Sequence, residues 1–239
     1  MGIVFLVRHA QASFLEPNYD KLSKLGETQA HLLGKYWAHH RTVFDRVCTG
    51  PCVRQKETLA LVSAVCRKAG IHFPDPQVLR EFDEYPGEAV LEQSLPGLLE
   101  TDQTIRGLHA AFQSSCGSAA RRATLQKLFE AVINKWMRQD ICPPGVETWT
   151  EFCSRVNSGL TKSLCAGSRG ARVAVVTSGG PIAVAMQRAL ELSADSTLNV
   201  SWMSRNSSWS EFIYSGERFT LSSFNCHPHL DDPVMLTYR

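Results

Sequence analysis

The chain has 239 residues, 44% of them hydrophobic, which is enough to bury a large core, and we expect one domain over residues 1–239. Its 25 basic and 23 acidic residues are spread along the sequence and give a net charge of +2, so nucleic acid is not expected as a partner. The apolar runs are too short to cross a membrane, and no secretory leader precedes the first of them. We therefore expect a cytoplasmic protein that has no membrane partner, with its eight cysteines as reduced thiols.

The first predicted element is a short buried strand that ends in two polar residues. Ile3-Val4-Phe5-Leu6 is rich in branched and aromatic side chains, and Arg8 and His9 follow it closely. Ligands of open α/β sheets bind at the carboxyl ends of strands. A neutral histidine can act as a nucleophile, and a guanidinium can hold a phosphate or carboxylate through two hydrogen bonds. The simpler alternative is a capping salt bridge at the strand end.

The next elements alternate between helix and strand. Apolar residues at helical spacing predict a helix from residue 25 to about 38, then a strand over 44–49 and a second helix over 53–69. Arg54 falls at the start of the second helix. A cation is unfavourable there unless an anion is shared between its guanidinium and the free backbone amides. An exposed surface arginine is the alternative.

The middle of the chain is predicted to be mainly helical. The pattern over 89–113 is weakly helical and broken at Pro96, whereas 122–139 has a wide apolar face. Another amphipathic helix is predicted over 147–166. We expect a helical insertion or lid at about 89–140 within the single domain, with its apolar residues serving in core or lid packing.

The last third of the chain contains a strand, a glycine turn and a helix start. Residues 172–177 are apolar, Ser178-Gly179-Gly180 forms the turn, and Pro181 begins the helix, an arrangement that can cradle an anion. Two further strands, 208–214 and 218–224, are predicted to pair as a hairpin. The alternation predicts an α/β fold: a three-layer α/β/α sandwich with a mostly parallel central sheet flanked by helices and a C-terminal edge hairpin.

Several motifs, in a consistent order, resemble the histidine phosphatase superfamily, the phosphoglycerate mutase-like proteins. The resemblance spans nearly the whole chain and is weakest over about 89–140. The segments that carry it are Val7-Arg8-His9-Ala10, Leu22-Ser23-Lys24-Leu25-Gly26-Glu27-Thr28-Gln29-Ala30, Thr49-Gly50-Pro51-Cys52-Val53-Arg54 with Thr58, Leu79-Arg80-Glu81, Gly145-Val146-Glu147, Thr177-Ser178-Gly179-Gly180, Asn206-Ser207 and His229-Leu230.

The resemblance implies a metal-independent phosphomonoester hydrolase that forms a phosphohistidine and needs no cofactor. His9 would attack phosphorus while Arg8 and Arg54 neutralise the phosphate oxygens. Glu81 would protonate the leaving alcohol, and Glu84 is its rival because this acidic segment offers several carboxylates. A solvated loop is the ordinary explanation of that segment. The remaining implied site residues are Ser178 and Gly179 for phosphate binding and Gln11 and Ser13 for substrate positioning.

One position departs from the family pattern. The family has a second histidine in Thr/Ser-His-Gly-Gly, and this chain has Ser178 there. A hydroxyl can donate to a phosphate oxygen but carries no positive charge. Losing one charge-assisted contact predicts a rate penalty of order 10² to 10³. His227 or His229 is the candidate to fill the gap from the C-terminal segment.

The sequence leaves four functional interpretations open. A hydrolase acting on a small phosphorylated substrate is the first. A phospho-ligand-binding or regulatory protein with little or no turnover is the second, and phosphoglycerate mutase-type phosphoryl transfer is the third. The fourth treats Ser178 as the nucleophile of a Ser-Asp-His triad with Asp195 and a late histidine. The segment around Ser178, however, lacks the first glycine of the Gly-x-Ser-x-Gly motif that such a nucleophile usually has. The oligomeric state, monomer or homodimer, also stays open.

Overall fold

Six strands form one mixed sheet in the computed structural model, which describes residues 1–13, 20–165 and 170–238. The strands are β1 (Gly2–Arg8), β2 (Arg46–Thr49), β3 (Gln77–Val78), β4 (Arg172–Thr177), β5 (Trp209–Ser215) and β6 (Arg218–Cys226). Their order across the sheet is β3-β2-β4-β1-β5-β6. Strands β1, β2, β3 and β4 are parallel to one another. Strand β5 is antiparallel to β1, and β6 is antiparallel to β5. The predicted α/β fold is therefore confirmed, with its C-terminal hairpin at the edge of the sheet.

Eight helices lie within the described ranges. They are α1 (Lys24–His39), α2 (Val53–Lys68), α3 (Gly87–Thr101), α4 (Gln103–Ser114), α5 (Ser118–Met137), α6 (Trp149–Cys165), α7 (Gly179–Leu190) and α8 (Ala194–Met203). Two 3-10 turns are also described, Arg80–Phe82 after β3 and Pro233–Met235 after β6. Helix α3 continues through Pro96, where the sequence pattern predicted a break. Proline lacks only its own N–H and disfavours rather than forbids a helix interior.

The sheet has an apolar core on each face because β1 is buried on both sides. Phe5 and Val7 point to one face, where residues of α1 and α2 such as Leu33 and Leu59 pack. Val4 and Leu6 point to the other, against residues of α6 and α7. Successive side chains of a strand alternate between faces, so a continuous apolar strand requires helices on both. The result is a three-layer arrangement.

The chain separates into two compact units. The first comprises Met1–Glu84 and Cys153–Arg239 and contains the sheet, and the second is Tyr85–Phe152. Within the second unit α4 packs on α5, and Tyr85, Trp136, Trp149 and Phe152 form an aromatic cluster. The action of this region as a lid stays a prediction. No helix in the described part of the chain is long and apolar enough to cross a membrane.

Candidate active site

The carboxyl ends of three neighbouring strands bring the predicted site residues together. Arg8 pairs with Thr177 in the register of β1 and β4, and the His9 N–H donates to the Thr177 carbonyl at 2.8 Å. The Gly50 N–H, just after β2, donates to the Val176 carbonyl at 3.0 Å. The segments that lead to His9, Arg54 and Ser178 therefore all leave the same edge of the sheet.

His9 is buried, with 5% of its surface exposed, and its two ring nitrogens have different partners. Nδ1 lies 2.8 Å from the Ala10 carbonyl oxygen, which can only accept, so Nδ1 carries the proton. Arg54 Nε donates to His9 Nε2 at 3.1 Å. Burial, together with the positive charges of Arg54 and Arg8, lowers the pKa of His9 well below 6.5. The imidazole is therefore neutral at neutral pH, and its Nε2 lone pair faces the guanidinium of Arg54.

The guanidinium groups of Arg54 and Arg8 each donate a hydrogen bond to an acceptor distant in sequence. Arg54 Nη1 forms an ion pair with Asp20 Oδ1 at 2.7 Å. Arg8 Nη1 donates to the backbone carbonyl of Ser204. A Cβ added to Gly179 would lie 3.8 Å from Arg8 Cζ, so the glycine turn runs alongside the Arg8 guanidinium. Arg54 thus contacts the His9 imidazole, and the positive charges of both guanidinium groups act on it, an arrangement that can bind a phosphate.

Hydrogen bonds from distant segments hold the backbone around His9. Asn206 Nδ2 donates to the His9 carbonyl at 3.1 Å, and the Ser207 N–H donates to the Arg8 carbonyl at 3.1 Å. Thr58 Oγ1 accepts from the Ala10 N–H at 3.0 Å and donates to the Arg54 carbonyl at 2.7 Å. Thr58 therefore links the loop after β1 to the first turn of α2.

Ser178 is fully buried and is held by a glutamine that sequence reasoning did not identify. Gln55 Nε2 donates to Ser178 Oγ at 2.8 Å and to the Phe82 carbonyl at 3.2 Å. The Ser178 hydroxyl proton can then be directed to another acceptor. In the described part of the chain the partner of Ser178 Oγ is Gln55 rather than a histidine, so these contacts give no support to a Ser-Asp-His triad through Asp195.

The two candidate acids have different surroundings. Glu84 accepts from the Gly180 N–H, with N–O distances of 3.1 Å to Oε1 and 3.3 Å to Oε2, next to the Ser178-Gly179 turn. Glu81 instead forms an ion pair with Lys162 of α6. That hydrogen-bonded ammonium group lowers the pKa of Glu81. Glu84 therefore lies at the start of α7, next to Ser178, whereas Glu81 is held at Lys162; which of the two acts as an acid stays a prediction.

The side chains of Gln11 and Ser13 make local contacts. Gln11 Oε1 accepts from Ser23 Oγ at 2.8 Å, and Ser13 Oγ donates to the Leu22 carbonyl at 3.0 Å. Both contacts join the segment after His9 to the start of α1. Their role in substrate positioning stays a prediction, as do the predicted roles of the other site residues.

The two C-terminal histidines lie in other surroundings. His229 Nε2 is 3.0 Å from Ser207 Oγ, and its ring stacks on Trp209. Burial, and then the neighbouring His227, lower the pKa of His229 to about 3. His227 Nδ1 is 2.7 Å from the Asn225 carbonyl oxygen. A neutral His229 supplies no positive charge, so it cannot replace an imidazolium beside a phosphate. Among the described residues, no group of three or more His, Cys, Asp or Glu side chains could hold a metal ion.

Comparisons with known proteins agree with the family resemblance. The family model described as histidine phosphatase superfamily (branch 1) matches residues 116–227. No curated protein matches the chain in sequence. Among solved structures, a mutant phosphoserine phosphatase from Entamoeba histolytica in complex with phosphoserine is 18% identical, with a TM-score of 0.61, and 96% of this chain and 100% of that chain are covered.

Two further structures are similar over comparable lengths. The alpha-ribazole phosphatase from Shigella flexneri is 17% identical with a TM-score of 0.61, covering 94% of this chain and 96% of that one. A phosphoglycerate mutase from Bacillus anthracis is 15% identical with a TM-score of 0.60, covering 96% of this chain and 95% of that one. At these identities the structures establish a common fold. The family model and the shared fold together confirm the resemblance of this chain to the histidine phosphatase superfamily.

Proposed function

We infer that the protein hydrolyses phosphomonoesters without a metal ion, through a phosphohistidine on His9. The observation that carries this proposal is the buried, neutral imidazole whose Nε2 lies 3.1 Å from Arg54 Nε, with Nδ1 held by a carbonyl. A lone pair that faces a guanidinium is aimed at the place where a phosphate would bind. The positive charge of Arg8 also acts on the His9 imidazole.

The first step forms the phosphoenzyme. A phosphate monoester displaces the Nε contact of Arg54, and its oxygens pair with the guanidinium groups of Arg54 and Arg8. The His9 Nε2 lone pair forms the N–P bond while the ester P–O bond breaks. Glu84 in its protonated form donates its proton to the departing alkoxide, which leaves as an alcohol. The Ala10 carbonyl stabilises the Nδ1 proton as positive charge develops on the ring.

The second step returns His9 to its starting state. Glu84, now a carboxylate, removes a proton from a water molecule that attacks phosphorus. The N–P bond breaks and its electron pair returns to Nε2, so inorganic phosphate and the neutral imidazole are regenerated. Arg8 and Arg54 stabilise the charge in both steps, which is the role that a divalent ion has in metal-dependent phosphatases.

The serine at position 178 leads us to expect a slow turnover rate. In our proposal it occupies the position of the second histidine of the family motif, and its hydroxyl donates to a phosphate oxygen while Gln55 donates to Ser178. A neutral donor is weaker than an imidazolium, which predicts turnover slower by a factor of order 10² to 10³. Retention of both arginines leaves phosphate binding strong even where turnover is slow.

The phosphatases and the mutase of similar fold suggest which substrates to test. Phosphoserine, alpha-ribazole phosphate, 3-phosphoglycerate and p-nitrophenyl phosphate form a suitable panel. We expect phosphate release from at least one of them and a covalent phosphoryl group on His9 by mass spectrometry after a rapid alkaline quench. His9→Ala should lose both. His31→Ala is a matched control, because His31 is exposed and its Nδ1 contacts the Glu27 carbonyl within α1.

Other outcomes separate the remaining functions. Binding of vanadate without phosphate release and without phosphohistidine would replace the hydrolase by a phospho-ligand-binding protein. Transfer of the phosphoryl group between the two hydroxyl positions of phosphoglycerate, rather than to water, would replace it by a mutase.

A further inference from the structure

Asp20 makes contacts that connect the segment after the nucleophile to the predicted phosphate site. Its Oδ1 forms the ion pair with Arg54 Nη1 at 2.7 Å, and its Oδ2 accepts from the Val53 N–H at 2.7 Å. The backbone N–H of Arg54 also donates to Asp20 Oδ1, at 3.5 Å. The Arg54 side chain is 11% exposed and that of Asp20 is 36% exposed. One carboxylate thus binds both the start of α2 and the guanidinium that projects from it.

These contacts determine which edge of the Arg54 guanidinium meets the nucleophile. A guanidinium is planar, with five N–H donors in fixed directions, so anchoring one nitrogen sets the directions of the others. Asp20 holds Nη1, and Nε is then directed at His9 Nε2 at a distance of 3.1 Å. Arginine otherwise has many rotamers, and its ordering has an entropic cost that a second anchor reduces.

We propose that Asp20 is a positioning residue that holds the Arg54 guanidinium with its Nε N–H directed at His9 Nε2, ready for the phosphate of the substrate. The proposal rests on the proposed function of the site. Asp20 does not touch the reacting atoms and acts through Arg54.

The sign of a pKa change distinguishes positioning from a direct charge effect. Arg54 and Arg8 are the charged groups that lower the pKa of His9, and Glu84 is the acidic side chain at the adjacent glycine turn. If Asp20 acts through Arg54, its removal frees the guanidinium and the pKa of His9 rises towards 6.5. If Asp20 acted on His9 directly as a negative charge, its removal would lower that pKa.

The test uses the full chain and two measurements that need no turnover. An NMR titration, with the His9 resonance identified by its absence in His9→Ala, follows the imidazole, and calorimetry gives the Kd for vanadate. In Asp20→Ala we expect the pKa of His9 to rise and the vanadate Kd to increase about 10- to 100-fold, as for loss of one well-oriented charge-assisted contact. Asp20→Asn should be intermediate, because one amide oxygen must serve two donors.

Asp75→Ala is the matched control. Asp75 pairs with Arg67 near the other end of α2 at 2.6 Å, so its removal breaks an Asp–Arg ion pair of the same helix far along the chain from His9. We expect wild-type titration and vanadate binding for this variant. In an Arg54→Ala background, Asp20→Ala should change neither measurement further, because the two residues act as one unit.

Three results would overturn the proposal. The first is a folded Asp20→Ala variant whose His9 pKa and vanadate Kd equal those of the wild type. The second is a decrease in the pKa of His9 in that variant. The third is a further loss of vanadate binding when Asp20→Ala is added to Arg54→Ala. Absence of hydrolysis by the wild-type protein would contradict the proposed function alone, because both measurements are made without catalysis.

Discussion

Replacing Glu84 by Gln distinguishes the two candidate general acids. The Gln side chain keeps an oxygen that can accept from the Gly180 N–H, so the local structure should persist while the transferable proton is lost. A general acid contributes about 10²- to 10⁴-fold to the rate, and we expect kcat/KM for phosphoserine to fall by this factor. The loss should be much smaller with p-nitrophenyl phosphate, whose nitrophenolate departs without being protonated.

Glu81→Gln provides the matched comparison. It removes the ion pair with Lys162, whose side chain is 56% exposed, so the pair contributes only about 0–1 kcal/mol to the free energy of unfolding. We expect a small decrease in the urea midpoint and unchanged kcat/KM for both substrates. Steady-state rates on the two substrates and urea unfolding of both variants make the comparison.

The opposite pattern of losses would assign the acid to Glu81. If Glu81→Gln lost activity selectively on phosphoserine while Glu84→Gln retained it, the ion pair with Lys162 would have to break during catalysis, and Glu81 would be the acid. Equal losses on both substrates in Glu84→Gln would show that Glu84 supports the structure of the site rather than transferring a proton.

Three further predictions concern packing and pH. Gly26→Ala should destabilise the fold by about 1–3 kcal/mol in urea unfolding, because the added Cβ would lie 2.1 Å from a backbone oxygen. Gly107→Ala adds its Cβ in open space and should stabilise the helix by about 0.5–1 kcal/mol. In the folded state the pKa of His229 is lowered from 6.5 to about 3. The neutral form of His229 therefore stabilises the fold fully above pH 6.5, and this contribution decreases by about 1.4 kcal/mol for each pH unit below that. His229→Phe should therefore flatten the decline in unfolding free energy measured between pH 7 and 5, and an unchanged slope would contradict this. Gln55→Met should weaken vanadate binding at Ser178 and destabilise the fold by about 1–3 kcal/mol; wild-type values in both assays would remove Gln55 from the site.

Local patterns in the sequence predicted five of the six strands, all but the two-residue β3, and the segments that reach the edge of the sheet. The continuous apolar run of β1 requires helices on both faces, and the parallel strands then carry their carboxyl ends to one edge. Arg8 ends β1, and His9 and Ser178 directly follow β1 and β4, so their proximity follows from topology. The helix over 53–69 put Arg54 at its N-terminus for the same local reason.

The tertiary structure decided the partners of these side chains. Glu81 and Glu84 lie three residues apart in one acidic segment, and only the packing of α6 directs Glu81 to Lys162 while Glu84 reaches the start of α7. Asp20 reads as an ordinary loop carboxylate in the sequence, yet it meets Arg54 from 34 residues away. Periodicity determines which face of an element a residue occupies, whereas its rotamer and hydrogen-bond partner depend on segments distant in sequence that come together only when the chain packs.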